Sequence, residues 1–346
     1  MKKIFYVMIR FIFSSYNLLY FRNFKVVGRE NIPQNGGVLY SPNHQNALID
    51  PLLVGTTATA SIYSLTRSDV FGGPLQWFLD AMQTLPVYRI RDGYDKLKKN
   101  KAVFERCHHL LSNKENLMMF SEGKHHEEYY LLRLSKGSAR LAMEAQLQST
   151  HPIYIQPVGL NYGNHLHPRH DCTVVYGNSI NLKEYLPAYK VHPAKGLNAL
   201  RDCLQQEMEA CLWYPKNDAN YTSKKKYINR KNTPLDFSQM KTALTHPTPA
   251  LALPGKRLFL HKILIALLSF PNLPVHLTIN YCVNQFTDPV FHGSVKYFGG
   301  LIMFLLWWGL GIIGFTVEVN AYWGLSFFIC SIISLYLRQF FVVRSL

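Results

Sequence analysis

The chain has 346 residues, 48% hydrophobic and 14% aromatic, and its 37 Lys and Arg against 21 Asp and Glu give a formal net charge of +16. That length exceeds one average domain, and such a charge suits either anionic lipid headgroups or nucleic acid. No helix-turn-helix, zinc module or RNA-binding signature accompanies the charge, which excludes nucleic acid as a partner, and six cysteines without a Cys-x-x-Cys pair point to a reduced compartment.

In chain order, Ile4 to Tyr20 is apolar and aromatic, interrupted by Arg10, preceded by Lys2 and Lys3, and lacks a small-residue cleavage site. It reads as an interfacial anchor helix within residues 1–23 rather than a signal peptide. From Phe24 to about Ala210 strand and helix patterns alternate, the mark of an α/β sheet flanked by helices, here assigned to 24–213. Strands are expected at Gly37 to Ser41, Ile62 to Leu65, Leu117 to Phe120, Ile153 to Leu160 and Cys172 to Tyr176. Helices are expected at Ile49 to Thr57, Pro74 to Met82, Tyr94 to Leu111, Ser135 to Gln146 and Lys195 to Leu212. Residues 214–256 are polar and carry the densest basic cluster, Lys224, Lys225, Lys226, Arg230 and Lys231, as expected of a linker returning the chain to a bilayer.

Residues 257–346 form a membrane region. Phe298 to Val317 holds no charge and as a helix spans about 30 Å, enough for a bilayer core. Ala321 to Leu337 is a second uncharged run, so 298–338 reads as a transmembrane hairpin. Lys296, Arg338 and Arg344 flank its outer ends and the connecting loop has no cation, which places both ends and the catalytic part on the cytoplasmic side. Leu258 to Val283 is interrupted by His261, Lys262, Pro271, Pro274 and His276 and suits a re-entrant or interfacial hairpin better than a crossing.

The chemistry is carried by SPNHQNALIDP, residues 41 to 51, where His44 follows an apolar strand and Asp50 stands six positions on. A held imidazole can take a proton from an attacking alcohol, and a carboxylate on its other nitrogen fixes the tautomer. Six residues do not share a helix face, so the chain must bend, with Ser41, Pro42 and Asn43 expected to supply the bend. A strand-to-helix loop with a capping Asp fits the same residues. Two further segments favour catalysis: MMFSEGKHHEE, in which a strand runs into Ser121, Glu122 and Gly123, and IYIQPVGLNY, whose Pro157 and Gly159 imply a close backbone approach. Arg67, Arg89 and Arg91 stand near expected strand ends, where a guanidinium suits a phosphate.

NHQNALID, LPVYR, FSEG with Lys136-Gly137, and QPVGL together resemble the four ordered blocks of the PlsC-type glycerolipid acyltransferases over roughly residues 24 to 180. The six-residue His-to-Asp offset and a histidine soon after Glu-Gly, here His126, look closest to the branch acylating glycerol-3-phosphate or dihydroxyacetone phosphate. The resemblance implies a glycerolipid acyltransferase-like fold, with His44 as base, Asp50 as its orienter, Glu122 and Gly123 as the acceptor-site turn, and Arg89 as a phosphate ligand. Arg67, Lys124 and His126 complete the expected substrate-binding set. The family commonly has Pro at the place of Ser121 and Thr-Arg at the places of Lys124 and His125, so Lys124 is left to supply the positive charge.

The implied reaction is direct transfer from acyl-CoA or acyl-carrier protein, a co-substrate rather than a cofactor, to glycerol-3-phosphate or 1-acyl-glycerol-3-phosphate. Gly-x-Ser-x-Gly is absent, and Ser121-x-x-Lys124 lacks its companion signatures, so no serine nucleophile is expected. No metal site is expected: HLHPRH, with His165, His167 and His170, reads as a surface hairpin loop, and His108 and His109 as ordinary helix residues. The alternatives are an acyltransferase for a phosphate-free lysolipid such as an amino-acid lipid, and a non-catalytic membrane scaffold with the same fold.

Overall fold

The computed structural model describes residues 2–73, 76–88, 98–246, 250–253 and 259–344. A mixed sheet of eight strands lies between two layers of helices. The strands are β1 Phe24–Val27, β2 Gly37–Pro42, β3 Ile62–Arg67, β4 Thr84–Val87, β5 Asn116–Met118, β6 Ile153–Tyr162, β7 Cys172–Tyr176 and β8 Ile180–Asn181. Their order is β1-β7-β6-β2-β5-β3-β4, with β8 also on β6; β6, β2, β5, β3 and β4 run parallel, while β7 and β8 are antiparallel to β6.

The period of two along each strand separates two cores. Val38, Tyr40, Met118, Val158, Leu160 and Tyr162 face one side and meet Phe13 and Tyr20 of α1 (Lys2–Tyr20) and Leu53 and Val54 of α2 (Ile49–Thr57). Leu39, Leu117, Ile153 and Ile155 face the other, toward Cys107 and Leu111, Ala139 to Ala145, and Leu200 to Met208, from helices Asn100–Ser112, Gly137–Gln148 and Pro193–Ala210. A sheet covered on both faces explains why its central strands are near-continuous apolar runs.

The five expected strands and four of the expected helices appear within a few residues of their anticipated limits. The fifth, expected at Tyr94 to Leu111, begins at Asn100, and 94–97 lie outside the described residues. Short β1, β4 and β8 were not anticipated, because two to four residues show no clear alternation. Gly159 makes the close approach its position implied: a Cβ there would lie 2.0 Å from the carbonyl oxygen of Cys211.

The segment after Trp213 is not an open tether. Helices Tyr221–Lys225 and Phe237–Thr245 pack onto the domain, the second started by a capping box of Asp236 and Gln239. Met240 and Leu244 join the core, Lys225 pairs with Glu128 at 2.6 Å, and Thr233 bonds Asp171. The apolar residues that fasten this strap are too sparse for a periodic signal, which is why composition alone gave a linker.

Among the described residues three stretches are long and apolar enough to cross a membrane: Phe259–Asn284, Val290–Glu318 and Ala321–Val342. The last two pair as an antiparallel hairpin, with Trp307 against Phe327 and Trp308 against Phe328. Both outer ends of the hairpin meet the α/β domain, through Tyr297 on Asn17 and through Arg169 over the Tyr336 ring. The first stretch breaks at Pro271 into Phe259–Ser269 and Leu273–Asn284. His261 lies beside Phe341, the break at 271–272 beside Trp307, Trp308 and Ser331, and His276 and Ile279 beside Phe304 and Gly299. Following those partners, the chain descends along one hairpin arm to its middle and returns along the other. The stretch therefore folds back on itself at the Pro271 break rather than running on as one straight rod. The N-terminal helix, by contrast, leaves Ile4, Val7, Phe11, Leu18 and Leu19 exposed on one side while Arg10 turns inward to the Ala58 carbonyl.

Candidate active site

The carboxyl ends of parallel strands leave a crevice where loops can converge. β2 ends there at Pro42 and leads to His44, β5 at Met118 and leads to Glu122, and β3 at Arg67. Ser41 and Pro42 are still paired in the sheet, opposite Pro157 and Val158, so the expected bend lies further on, at 45–48. That turn carries the chain into α2, whose first turn holds Asp50.

His44 Nδ1 lies 2.9 Å from Asp50 Oδ2. A carboxylate only accepts, so Nδ1 carries the proton in this contact, and in the neutral ring the lone pair is then on Nε2. Asp50 is fully buried and satisfied by two further donors, the Asn46 N–H to Oδ2 at 2.8 Å and the Tyr162 hydroxyl to Oδ1 at 2.5 Å. The imidazole stacks on Phe120 with ring centres 3.9 Å apart and is 14% exposed, and Nε2 makes no hydrogen bond to the described residues. Asn43 fastens the loop to β6, accepting from Leu160 N–H at 2.6 Å and donating to its carbonyl at 3.0 Å.

Glu122 is buried and braces the loop that carries His44. One oxygen accepts the backbone N–H of His44 at 2.8 Å; the other lies 3.0 Å from His126 Nε2 and accepts Leu132 N–H at 3.0 Å. Gly123 follows at φ 74°, where a side chain would strain the turn, and Gly123 and Lys124 are both exposed. Ser121 supports the turn from below, its hydroxyl 2.6 Å from that of Ser41 and 2.7 Å from that of Ser138.

Of the expected residues, His44, Asp50, Glu122 and His126 come together, with His126 N–H donating to the His44 carbonyl at 3.1 Å. Lys124 stands on the adjoining turn. Arg67 closes β3 and binds Asp69, with Nε 3.0 Å from Oδ1, while Arg89 and Arg91 lie outside the described residues. His125 is edge-on to His44 at 5.6 Å between ring centres, and its Nε2 lies 2.9 Å from Asp288 Oδ2. Burial lowers the His125 pKa below its ordinary 6.5, with His44 and Arg67 acting in the same direction and Asp288 opposing them.

The sequence reading missed Tyr162, Asn46, Asp288 and Ser294. Tyr162 sits two residues beyond Leu160 on a strand already singled out; the other three are brought in by the turn and the apolar helix, with no signal in spacing. HLHPRH is likewise not a surface loop: His165 and His170 are buried, and desolvation pushes both down to about 3. His165 instead lies against the Tyr129 hydroxyl at 3.2 Å. Among the described residues no group of three His, Cys, Asp or Glu is placed to hold a metal ion.

Residues 23–161 match a family model described as Acyltransferase. No curated protein matches the chain. Among solved structures, the chain is similar to the crystal structure of the 1-acyl-sn-glycerophosphate (LPA) acyltransferase, PlsC, from Thermotoga maritima. Identity is 17% and the TM-score 0.40, over 54% of this chain and 71% of that one. The matched stretch, from the entry to β1 through the last residues of β6, contains His44, Asp50 and Glu122.

Proposed function

We propose that the protein is a membrane-bound lipid acyltransferase. It moves a fatty acyl group from acyl-CoA or acyl-carrier protein to a hydroxyl of glycerol-3-phosphate or 1-acyl-glycerol-3-phosphate, on the cytoplasmic side of the bilayer. The observation that carries this reading is the His44–Asp50 contact at 2.9 Å within the matched domain, with Nε2 left as the basic atom.

In the reaction, His44 Nε2 takes the acceptor hydroxyl proton as that oxygen attacks the thioester carbonyl carbon. The buried carboxylate of Asp50 stabilises the imidazolium. Collapse of the tetrahedral intermediate breaks the C–S bond, and the leaving thiolate takes the proton back from Nε2, giving ester and free thiol. General-base action supplies about 10²- to 10⁴-fold, and positioning of the two substrates provides the rest. Lys124, exposed on the Gly123 turn, is the point charge for an acceptor phosphate. Glu122 and His126 act on the loop rather than on substrate, since both Glu122 oxygens are occupied by protein groups.

A phosphate-free acceptor is the second reading, favoured by the pairing of Arg67 with Asp69, which satisfies a guanidinium that would otherwise meet a phosphate. Purified protein is given radiolabelled palmitoyl-CoA with glycerol-3-phosphate, 1-acyl-glycerol-3-phosphate or an amino-acid lysolipid, and free thiol is followed. Thiol release dependent on a phosphate acceptor is expected. Release with the lysolipid alone removes the phosphate assignment, and none with any acceptor favours a scaffold.

A further inference from the structure

We propose that Ser294, on the apolar helix Val290–Glu318, is a positioning residue for the His44–Asp50 pair and acts through Asn46. The inference rests on His44 being the base.

Asp50 Oδ2 serves two donors, His44 Nδ1 and the Asn46 N–H, so the place of Asn46 fixes the place of the oxygen that orients the imidazole. The Asn46 side chain is fully buried and held from both ends. Its Oδ1 accepts the Ser294 hydroxyl at 2.8 Å, and its Nδ2 donates to the His165 carbonyl at 2.7 Å. Ser294 Oγ in turn accepts the Leu48 N–H at 3.0 Å. One hydroxyl therefore ties two positions of the turn 45–48 to a helix almost 250 residues away in sequence, at a site 1% exposed.

Gly293 makes that reach possible. A Cβ there would lie 2.2 Å from the His165 carbonyl oxygen and 2.4 Å from Asn46 Nδ2, so the helix backbone is seated where no side chain fits. The rest of the helix interface contacts other elements: one turn on, the Tyr16 hydroxyl donates to the Tyr297 carbonyl at 3.1 Å and the Tyr297 hydroxyl to Asn17 at 2.6 Å. Anchoring and positioning are thus carried by different residues of one helix. Without the Ser294 hydroxyl, Asn46 Oδ1 loses its donor and Leu48 N–H its acceptor among the described residues, and the carboxylate behind His44 loosens. Misplacement by about 1 Å costs on the order of 10²-fold in rate.

The test is a double-mutant cycle of full-length protein in nanodiscs, with palmitoyl-CoA and either glycerol-3-phosphate or 1-acyl-glycerol-3-phosphate. Ser294→Ala is expected to lower kcat about tenfold with KM for both substrates within twofold. In an Asn46→Ala background the same substitution is expected to cost less than twofold, because the path is already cut. Tyr16→Phe, which removes a helix contact that does not lead to Asn46, should leave kcat within twofold. Native kcat in Ser294→Ala, effects of Ser294→Ala and Asn46→Ala that multiply, or an equal loss in Tyr16→Phe would each overturn the proposal. If the alanine variant does not fold, Ser294→Cys, a weak donor, runs the same cycle. His44→Ala separates the two levels: if it keeps the native rate, the base assignment and this inference fall together. If it is inactive while Ser294→Ala is native, only this inference falls. No turnover by the wild-type chain of these two acceptors or of an amino-acid lysolipid removes both.

Discussion

The Glu122 carboxylate accepts the backbone N–H of His44 at 2.8 Å, so His44 is gripped at its main chain by one loop and at its ring by another. The two loops leave neighbouring strands, β5 and β2, whose pairing of Leu39 with Leu117 sets the spacing between them. The site is therefore a product of sheet register as much as of local turns.

Removing either half of the dyad should separate chemistry from binding. His44→Ala is expected to lower kcat by about 10²- to 10⁴-fold with little change in KM. Asp50→Asn should lose a comparable factor, because an amide no longer dictates which ring nitrogen is protonated. Single-turnover acyl transfer measures both, and a native rate in either variant contradicts the assigned roles.

Glu122→Gln tests the brace. The amide oxygen can still take the His44 N–H, but the amide nitrogen would face the N–H of Leu132 with no acceptor to offer. Leaving one buried donor unpaired costs about 1–3 kcal/mol. A lower thermal midpoint together with a lower kcat is expected, and an unchanged midpoint would show that the loop is held by other contacts.

Acid should destabilise the fold through two buried histidines. Desolvation puts His165 and His170 at about 3 when folded, against an ordinary 6.5. The unfolded chain then binds more protons below the ordinary value, so their contribution is complete above about pH 6.5 and is lost as pH falls toward 3. At pH 5 the loss is on the order of 2 kcal/mol for each. Thermal midpoints measured from pH 7.5 to 5 should fall, and His165→Phe with His170→Phe should flatten the slope.

Gly159→Ala places a methyl 2.0 Å from the Cys211 carbonyl oxygen, which belongs to backbone and cannot swing away. Overpacking of about 1–3 kcal/mol is expected, read as a lower thermal midpoint, without a change in KM. A neutral outcome would mean that the turn after helix Pro193–Ala210 can retreat from β6.

Much of this was legible because the informative residues lie close together in sequence. His44 and Asp50 flank one turn, Glu122 and His126 lie on a single loop, and helix α2 falls at the limits the pattern implied because Pro51 and the apolar run after it mark it. What was not legible depends on distant pairing. Tyr162 reaches Asp50 across 112 residues and Ser294 reaches Asn46 across 248, and nothing in either local sequence announces the partner. The same reason hides the strap after Trp213, where Met240 finds a core built by strands far upstream. His165 and His170 read as exposed because loops usually are; here His165 lies among Tyr129, Tyr162 and Gly293, and the His170 carbonyl accepts the Arg22 N–H.

The helix Val290–Glu318 is unbroken for 29 residues, about 43 Å. Its Gly293 end is wedged against Asn46 and His165 while its far end joins the other arm of the hairpin. A rod with one end seated against that turn joins the apolar hairpin to the loop that carries Asn46, so a substitution that shifts the hairpin is expected to be felt at Asp50 through the Asn46 N–H.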